Sequence, residues 1–87
     1  MQTVRPRKAR VYVTLKRGVL DPQGQAVARS LTRLGFAEVA DARIGKYIEL
    51  SFTDGCDRAQ AAQRVEAMCE KLLANTVIEQ YRYELVD

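Results

Sequence analysis

The sequence predicts an α+β domain: a two-layer β-α-β-β-α-β sandwich with a ferredoxin-like antiparallel sheet and two helices on one face. Three observations lead there. Several short stretches alternate apolar and polar residues with the period of a half-buried strand. Two longer stretches repeat their apolar residues with the period of a helix. Gly, Pro, Asp and Asn stand at the junctions between them. The 87 residues, 47% apolar and 29% charged, are enough for one core and too few for two.

The elements follow in order. In 9–16, Val11, Val13 and Leu15 point one way and Tyr12, Thr14 and Lys16 the other, as in a strand with one buried face. Arg17-Gly18-Val19-Leu20 turns the chain. Asp21 is placed to cap a helix, with Pro22 at the first helical position, where its missing N–H is not needed. Val27, Leu31 and Leu34 form that helix's apolar stripe, and Gly35 supplies a left-handed terminus with Phe36 packing after it. Residues 38–44 and 47–53 alternate again and read as a hairpin joined at Gly45-Lys46. Ile48, Leu50 and Phe52 share one of its faces. Asp54 or Asp57 then caps a second helix of about 17 residues, with Ala61, Val65, Met68, Cys69 and Leu72 along one side and Asn75 ending it in the left-handed region. The last strand spans 76–86, with Val77, Tyr81, Tyr83 and Leu85 on one face.

Both helices should cover the same face of this sheet. The other face would then show Tyr12 and Tyr47 to water, joined by Tyr81 and Tyr83 of the last strand. An aromatic patch of that kind usually meets a partner, so self-association through the open face is expected.

Composition excludes much chemistry. The chain has no His, which removes Ser-His-Asp and Cys-His nucleophile systems and imidazole bases. Cys56 and Cys69 would lie roughly 18–20 Å apart along one helix, too far for a disulfide. They also make a poor zinc site. Cys69 belongs to the core, and the unpaired thiols suit a reducing cytoplasm. No apolar run nears the roughly 20 residues of a membrane span, and Met1–Lys8 lacks the apolar region of a secretory signal.

The net charge of +3 is unevenly spread. Arg5, Arg7, Lys8 and Arg10 stand at the start, and from Val11 onward 10 basic residues face 11 acidic ones, a net of −1. Residues 1–8 read as a frayed basic arm and 9–87 as the single domain. Nucleic-acid binding is not expected. An RNA-recognition strand needs a second aromatic where Gly45-Lys46-Tyr47-Ile48-Glu49 has Glu49. Nor does Gly45-Lys46 complete a phosphate loop, because Ala40 and Tyr47 occupy its other key positions. Asp41 and Glu49 could face each other across the hairpin, but Arg43 and Lys46 would pair with them rather than leave them free for acid–base work. No catalytic or metal-ligating set emerges, and the residues read as a binding or scaffolding domain.

Some polar residues do not follow from packing. Lys16, Asp21, Gln23, Arg43 and Lys46 fall at turns or on exposed positions, and contact with a partner is expected of them. They sit within two of three stretches, Val11–Gly24 (VYVTLKRGVLDPQG) and Arg43–Leu50 (RIGKYIEL), the third being Leu34-Gly35-Phe36. Together with Leu73–Tyr81, these stretches resemble the PurS family over roughly residues 10–86. Thr76 stands where the family commonly has Pro. The resemblance implies a cytoplasmic, non-catalytic small subunit of phosphoribosylformylglycinamidine synthase in purine biosynthesis. It implies a homodimer, or a dimer of dimers, bridging a glutaminase subunit and a large synthetase subunit. Any ATP and Mg would then be used by the synthetase, with no cofactor on this chain. A free-standing ligand-sensing or nucleic-acid-binding module is the alternative.

Overall fold

Strand β1 (Lys8–Leu15) runs through the middle of the molecule because its alternation is the strongest in the chain. In this computed structural model, which describes residues 6–53 and 57–87, Ala9, Val11 and Val13 are almost completely buried. Helix α1 (Pro22–Arg33), strand β2 (Gly45–Ser51), helix α2 (Arg58–Met68), a five-residue π-helical turn (Cys69–Leu73) and strand β3 (Glu79–Val86) follow. The sheet is antiparallel, in the order β2-β1-β3. Val11 pairs with Ile48 and Tyr83, and Tyr12 pairs with Tyr47 and Arg82. Directly paired residues share a face, so this register sorts every strand residue to one side or the other.

Helix α2 covers the face that holds Val11 and Val13. Asp57 caps it, accepting the Gln60 N–H at 2.8 Å, and Asp54 and Cys56 lie outside the described residues. Val65 and Cys69 are fully buried against Ala9, Val11 and Val13, with Ile48, Leu50, Tyr81, Tyr83 and Leu85 packed around them. Cys69 is therefore the core residue expected of it, and burial pushes its thiol pKa up. No described helix is long and apolar enough to cross a membrane.

The α+β class and the single helix-covered face match expectation, but four details differ. Residues 38–44 form no strand, so the order is β-α-β-α-β. Their alternation is thin, since Ala40 and Ala42 bring little apolar area to a sheet. Their polar groups are also engaged elsewhere: the Ala42 N–H donates to Asp41 Oδ1 and the Ile44 N–H to Asp21 Oδ2. The anticipated Asp41–Glu49 juxtaposition disappears with the hairpin, and Glu49 lies 3.8 Å from Lys8 instead. Gly45 is not a turn residue but the first residue of β2, opposite Thr14. A Cβ there would meet the Val13 carbonyl oxygen at 2.3 Å.

The second difference is at the end of the chain. The last strand begins at Glu79, because Asn75 organises a turn before it. Its carbonyl accepts the N–H groups of Ile78 and Glu79, and its side chain accepts that of Val77 at 3.2 Å. Asn75 is not left-handed; no described residue other than glycine has positive φ. At the opposite end, the domain starts before Ala9. Pro6 is buried, and Arg7 bonds Val86 and Phe52 through its backbone. The inner part of the expected 1–8 arm is thus built into the sheet.

The last difference is the largest. Helix α1 forms as expected, from Pro22 at its start to Gly35 (φ +103°) after its end, but it does not pack on the sheet. Its only buried residue is Gly24. The molecule measures 55 × 27 × 18 Å with a radius of gyration of 16.9 Å, against about 12 Å for a compact chain of this length. Helix α1 stands off the body from one end of the sheet.

Candidate partner interface

The root of α1 is the most elaborately built polar site in the chain. Asp21, 8% exposed, accepts the Gly24 N–H at Oδ1 (2.8 Å) and the Ile44 N–H at Oδ2 (3.0 Å). These two backbone donors, with the Arg43 guanidinium 3.8 Å away, hold its carboxyl pKa below the ordinary aspartate value. Arg43 also donates through Nη2 to the carbonyls of Leu15 (2.7 Å) and Lys16 (3.2 Å). One carboxylate and one guanidinium thus tie together the end of β1, the start of α1 and the segment before β2. Gly24 completes the joint. A Cβ at that position would come within 2.2 Å of the Ala42 carbonyl oxygen.

The five polar residues singled out in the sequence gather at this end of the sheet, yet they divide by role. Asp21 and Arg43 are committed to the joint. Lys16, Gln23 and Lys46 are exposed. Lys46 Nζ lies 3.9 Å from Glu79 Oε2 and 3.4 Å from the Leu73 carbonyl. Asp21, Gln23, Lys46 and Glu79 help to line a shallow groove of about 280 Å³. Beside it, Arg17, Asp41, Arg43 and Gln80 border a wider hollow of about 560 Å³. Arg17 and Glu79 were not picked out from the sequence, because a lone charge beside a turn carries no distinguishing pattern.

The four tyrosines also divide. Tyr12 and Tyr47 lie on the open face, with ring centroids 5.2 Å apart. The Arg82 guanidinium sits 4.0 Å from the Tyr12 centroid. Their hydroxyls donate to Glu84 (2.7 Å) and Glu49 (2.8 Å). The expectation that Tyr81 and Tyr83 join them does not hold: pairing with Val13 and Val11 puts both beneath α2. There the Tyr81 hydroxyl donates to Glu70 at 2.9 Å and that of Tyr83 to Glu66. The hydrogen bond to Glu70 pushes the Tyr81 pKa up to about 12, and Glu66 raises that of Tyr83.

A third feature was not foreseen. Leu72 and Val77, each 81% exposed, and Ile78 form an apolar tip at the same end of the sheet. The Ile78 carbonyl accepts the Lys16 N–H, which joins the tip to the root of α1. Among the described residues no group of three or more His, Cys, Asp or Glu could hold a metal.

A small α+β chain whose exposed apolar residues and polar groove cluster around one projecting helix has the features of an assembly module. The comparisons with known proteins say which. Residues 8–87 match the profile of PurS, phosphoribosylformylglycinamidine (FGAM) synthase, and the chain belongs to the PurS family. It is 56% identical over 78 residues to the phosphoribosylformylglycinamidine synthase subunit PurS of Bacillus subtilis, covering 90% of each chain. To the subunit of the same name from Synechocystis it is 53% identical over 76 residues, 87% of this chain and 75% of that one. Among solved structures, B. subtilis PurS superimposes with a TM-score of 0.78 at 52% identity, covering 92% of this chain and 98% of that one. A chain of PurLQS from Thermotoga maritima gives 0.84 at 29% identity, covering 95% and 100%.

Proposed function

We propose that this chain is the non-catalytic small subunit of phosphoribosylformylglycinamidine synthase, bridging its glutaminase and synthetase subunits in the cytoplasm. The observation that carries this most directly is the likeness, over nearly the whole of both chains, to a chain of PurLQS. An end-to-end match to subunits favours this over a free-standing sensing or nucleic-acid-binding module. In the complex, the glutaminase releases ammonia from glutamine. The synthetase uses ATP and Mg²⁺ to activate the amide oxygen of formylglycinamide ribonucleotide, and ammonia displaces the resulting phosphate to give the amidine. The enzyme is a C–N ligase, and this chain contributes assembly rather than an active site. ATP and Mg²⁺ belong to the partner. The chain works as a homodimer or a dimer of dimers.

Lys16, Gln23 and Lys46 are the partner-contact residues on this proposal, with Asp21 and Arg43 holding the surface in shape. Lys46→Ala should leave the fold intact, because its exposed Nζ makes only a long ion pair with Glu79 and a long hydrogen bond to the Leu73 carbonyl. It should weaken co-purification with the other two subunits. The deciding experiment reconstitutes the three purified chains and measures amidine formation with glutamine and, separately, with free ammonia. Omitting this chain should abolish the glutamine-dependent rate and spare the ammonia-dependent one. Undiminished glutamine-dependent turnover without it would sink the proposal.

A further inference from the structure

We propose that the hollow bordered by Arg17, Asp41 and Arg43 binds a phosphorylated ribose, with the phosphate on the two arginines and a sugar hydroxyl on Asp41. The hollow, about 560 Å³, is in the size range of small-molecule sites, and this one chain supplies its whole lining. Arg43 is fixed in place before any ligand arrives. Its Nε lies 3.8 Å from Asp21 and its Nη2 donates to the Leu15 and Lys16 carbonyls, contacts that do not use Nη1. A guanidinium held in this way has already given up its rotamer freedom, so less entropy is lost on binding.

Arg17 comes from a turn that also offers backbone donors. The Val19 N–H closes the turn on the Lys16 carbonyl at 3.1 Å, and Gly18 takes the position that requires positive φ, here +87°. That closing bond leaves the Arg17 and Gly18 N–H groups unused. A Cβ built on Gly18 meets nothing within 4 Å, so a ligand can approach the backbone there. Thr14 and Gln80 of the adjoining strands add a hydroxyl and an amide to the same lining.

The donors outnumber what a carboxylate can accept. A phosphomonoester brings three acceptor oxygens and nearly two negative charges at neutral pH, and arginine forks match its geometry. Asp41 would repel a bare anion, so its presence in the lining selects the rest of the ligand. Its Oδ1 accepts the Ala42 N–H at 2.9 Å, a contact that does not use Oδ2. A carboxylate near a phosphate site commonly accepts ribose hydroxyls. An α-amino acid would also satisfy both signs, but it sets one singly charged carboxylate against two guanidiniums and fills little of the hollow. Because Arg43 also ties β1 to the root of α1, a bound phosphate is coupled to the joint at Asp21.

Isothermal titration calorimetry of the purified full-length chain, at fixed ionic strength, tests the site with ribose 5-phosphate, adenosine 5′-monophosphate, ribose, inorganic phosphate and glutamate. Ribose 5-phosphate should bind about tenfold more tightly than inorganic phosphate, ribose should give no heat, and the Gly18 amide resonance should shift on binding. Arg17→Ala should weaken binding by about tenfold with an unchanged thermal melt, since that side chain is exposed. Asp41→Ala should bring ribose 5-phosphate and inorganic phosphate to similar affinity. Arg64→Ala, which removes an equal charge from α2, should bind as the wild type does. Tighter binding of the nucleotide than of the sugar phosphate marks a nucleotide as the natural source, and equal binding marks the sugar phosphate; both uphold the site. The proposal is overturned by no heat with ribose 5-phosphate, by equal affinity for inorganic phosphate or by tighter binding of glutamate. Unchanged binding in Arg17→Ala, or an equal loss in Arg64→Ala, overturns it as well.

Discussion

Asp21 shows how much one carboxylate can organise. It caps α1, holds the backbone before β2 and receives Arg43, all within hydrogen-bonding or ion-pair reach. Replacement by Ala removes the acceptor of two backbone N–H groups and should lower Tm by roughly 5–10 °C, measured by thermal melts at neutral pH. Its folded pKa lies below the unfolded one, so its contribution is present above about pH 4 and lost as pH falls through the folded value. Asp21→Asn should therefore flatten the acid limb of a Tm-versus-pH profile. Tyr81 behaves in the opposite sense. Its pKa is raised to about 12, so folding favours the protonated phenol. That contribution is complete below about pH 10 and disappears as pH rises towards 12. Tyr81→Phe should move the highest-pH step of an ultraviolet tyrosinate titration; an unchanged high-pH limb would refute the Glu70 contact.

At the scale of elements, local chemistry is legible wherever a strong period coincides with a strong cap. β1 and both helices are examples: Val11-Tyr-Val alternation, Asp21-Pro22 and Asp57 each specify their element from nearby residues alone. The segment 38–44 departs from its pattern because the same alternation in small residues does not reward pairing, and its backbone N–H groups bond to side chains instead, one within the segment and one at Asp21. The site is legible as a set of residues and not as a structure. That Lys46 points to the helix-bearing face, or that Tyr81 and Tyr83 lie beneath α2, depends on register and hence on contacts distant in sequence. Gly24 is a further case. Its role follows from the approach of Ala42, 18 positions away. Gly24→Ala should cost about 1–3 kcal/mol through forced displacement of that carbonyl, read by urea denaturation. If stability is unchanged, the close approach of α1 and the 39–44 segment is not needed.

The whole molecule is a body and an arm, and its properties follow from the joint between them. A chain with so small a core has limited stability of its own, so any partner that covers α1 adds directly to folding free energy. The melting temperature of the isolated chain should therefore rise with protein concentration, and a concentration-independent Tm would place α1 in water in the working state. The joint also sets a mechanical tolerance. Helix α1 is a lever about 18 Å long pivoting on two hydrogen bonds and an ion pair, so a tilt of about 10° at its root moves its far end by about 3 Å. That is comparable to the spacing between neighbouring side chains in a packed contact. The stiffness of the Asp21–Arg43 corner, rather than any residue on the contact surface, fixes which ridge meets which groove at the far end of the arm.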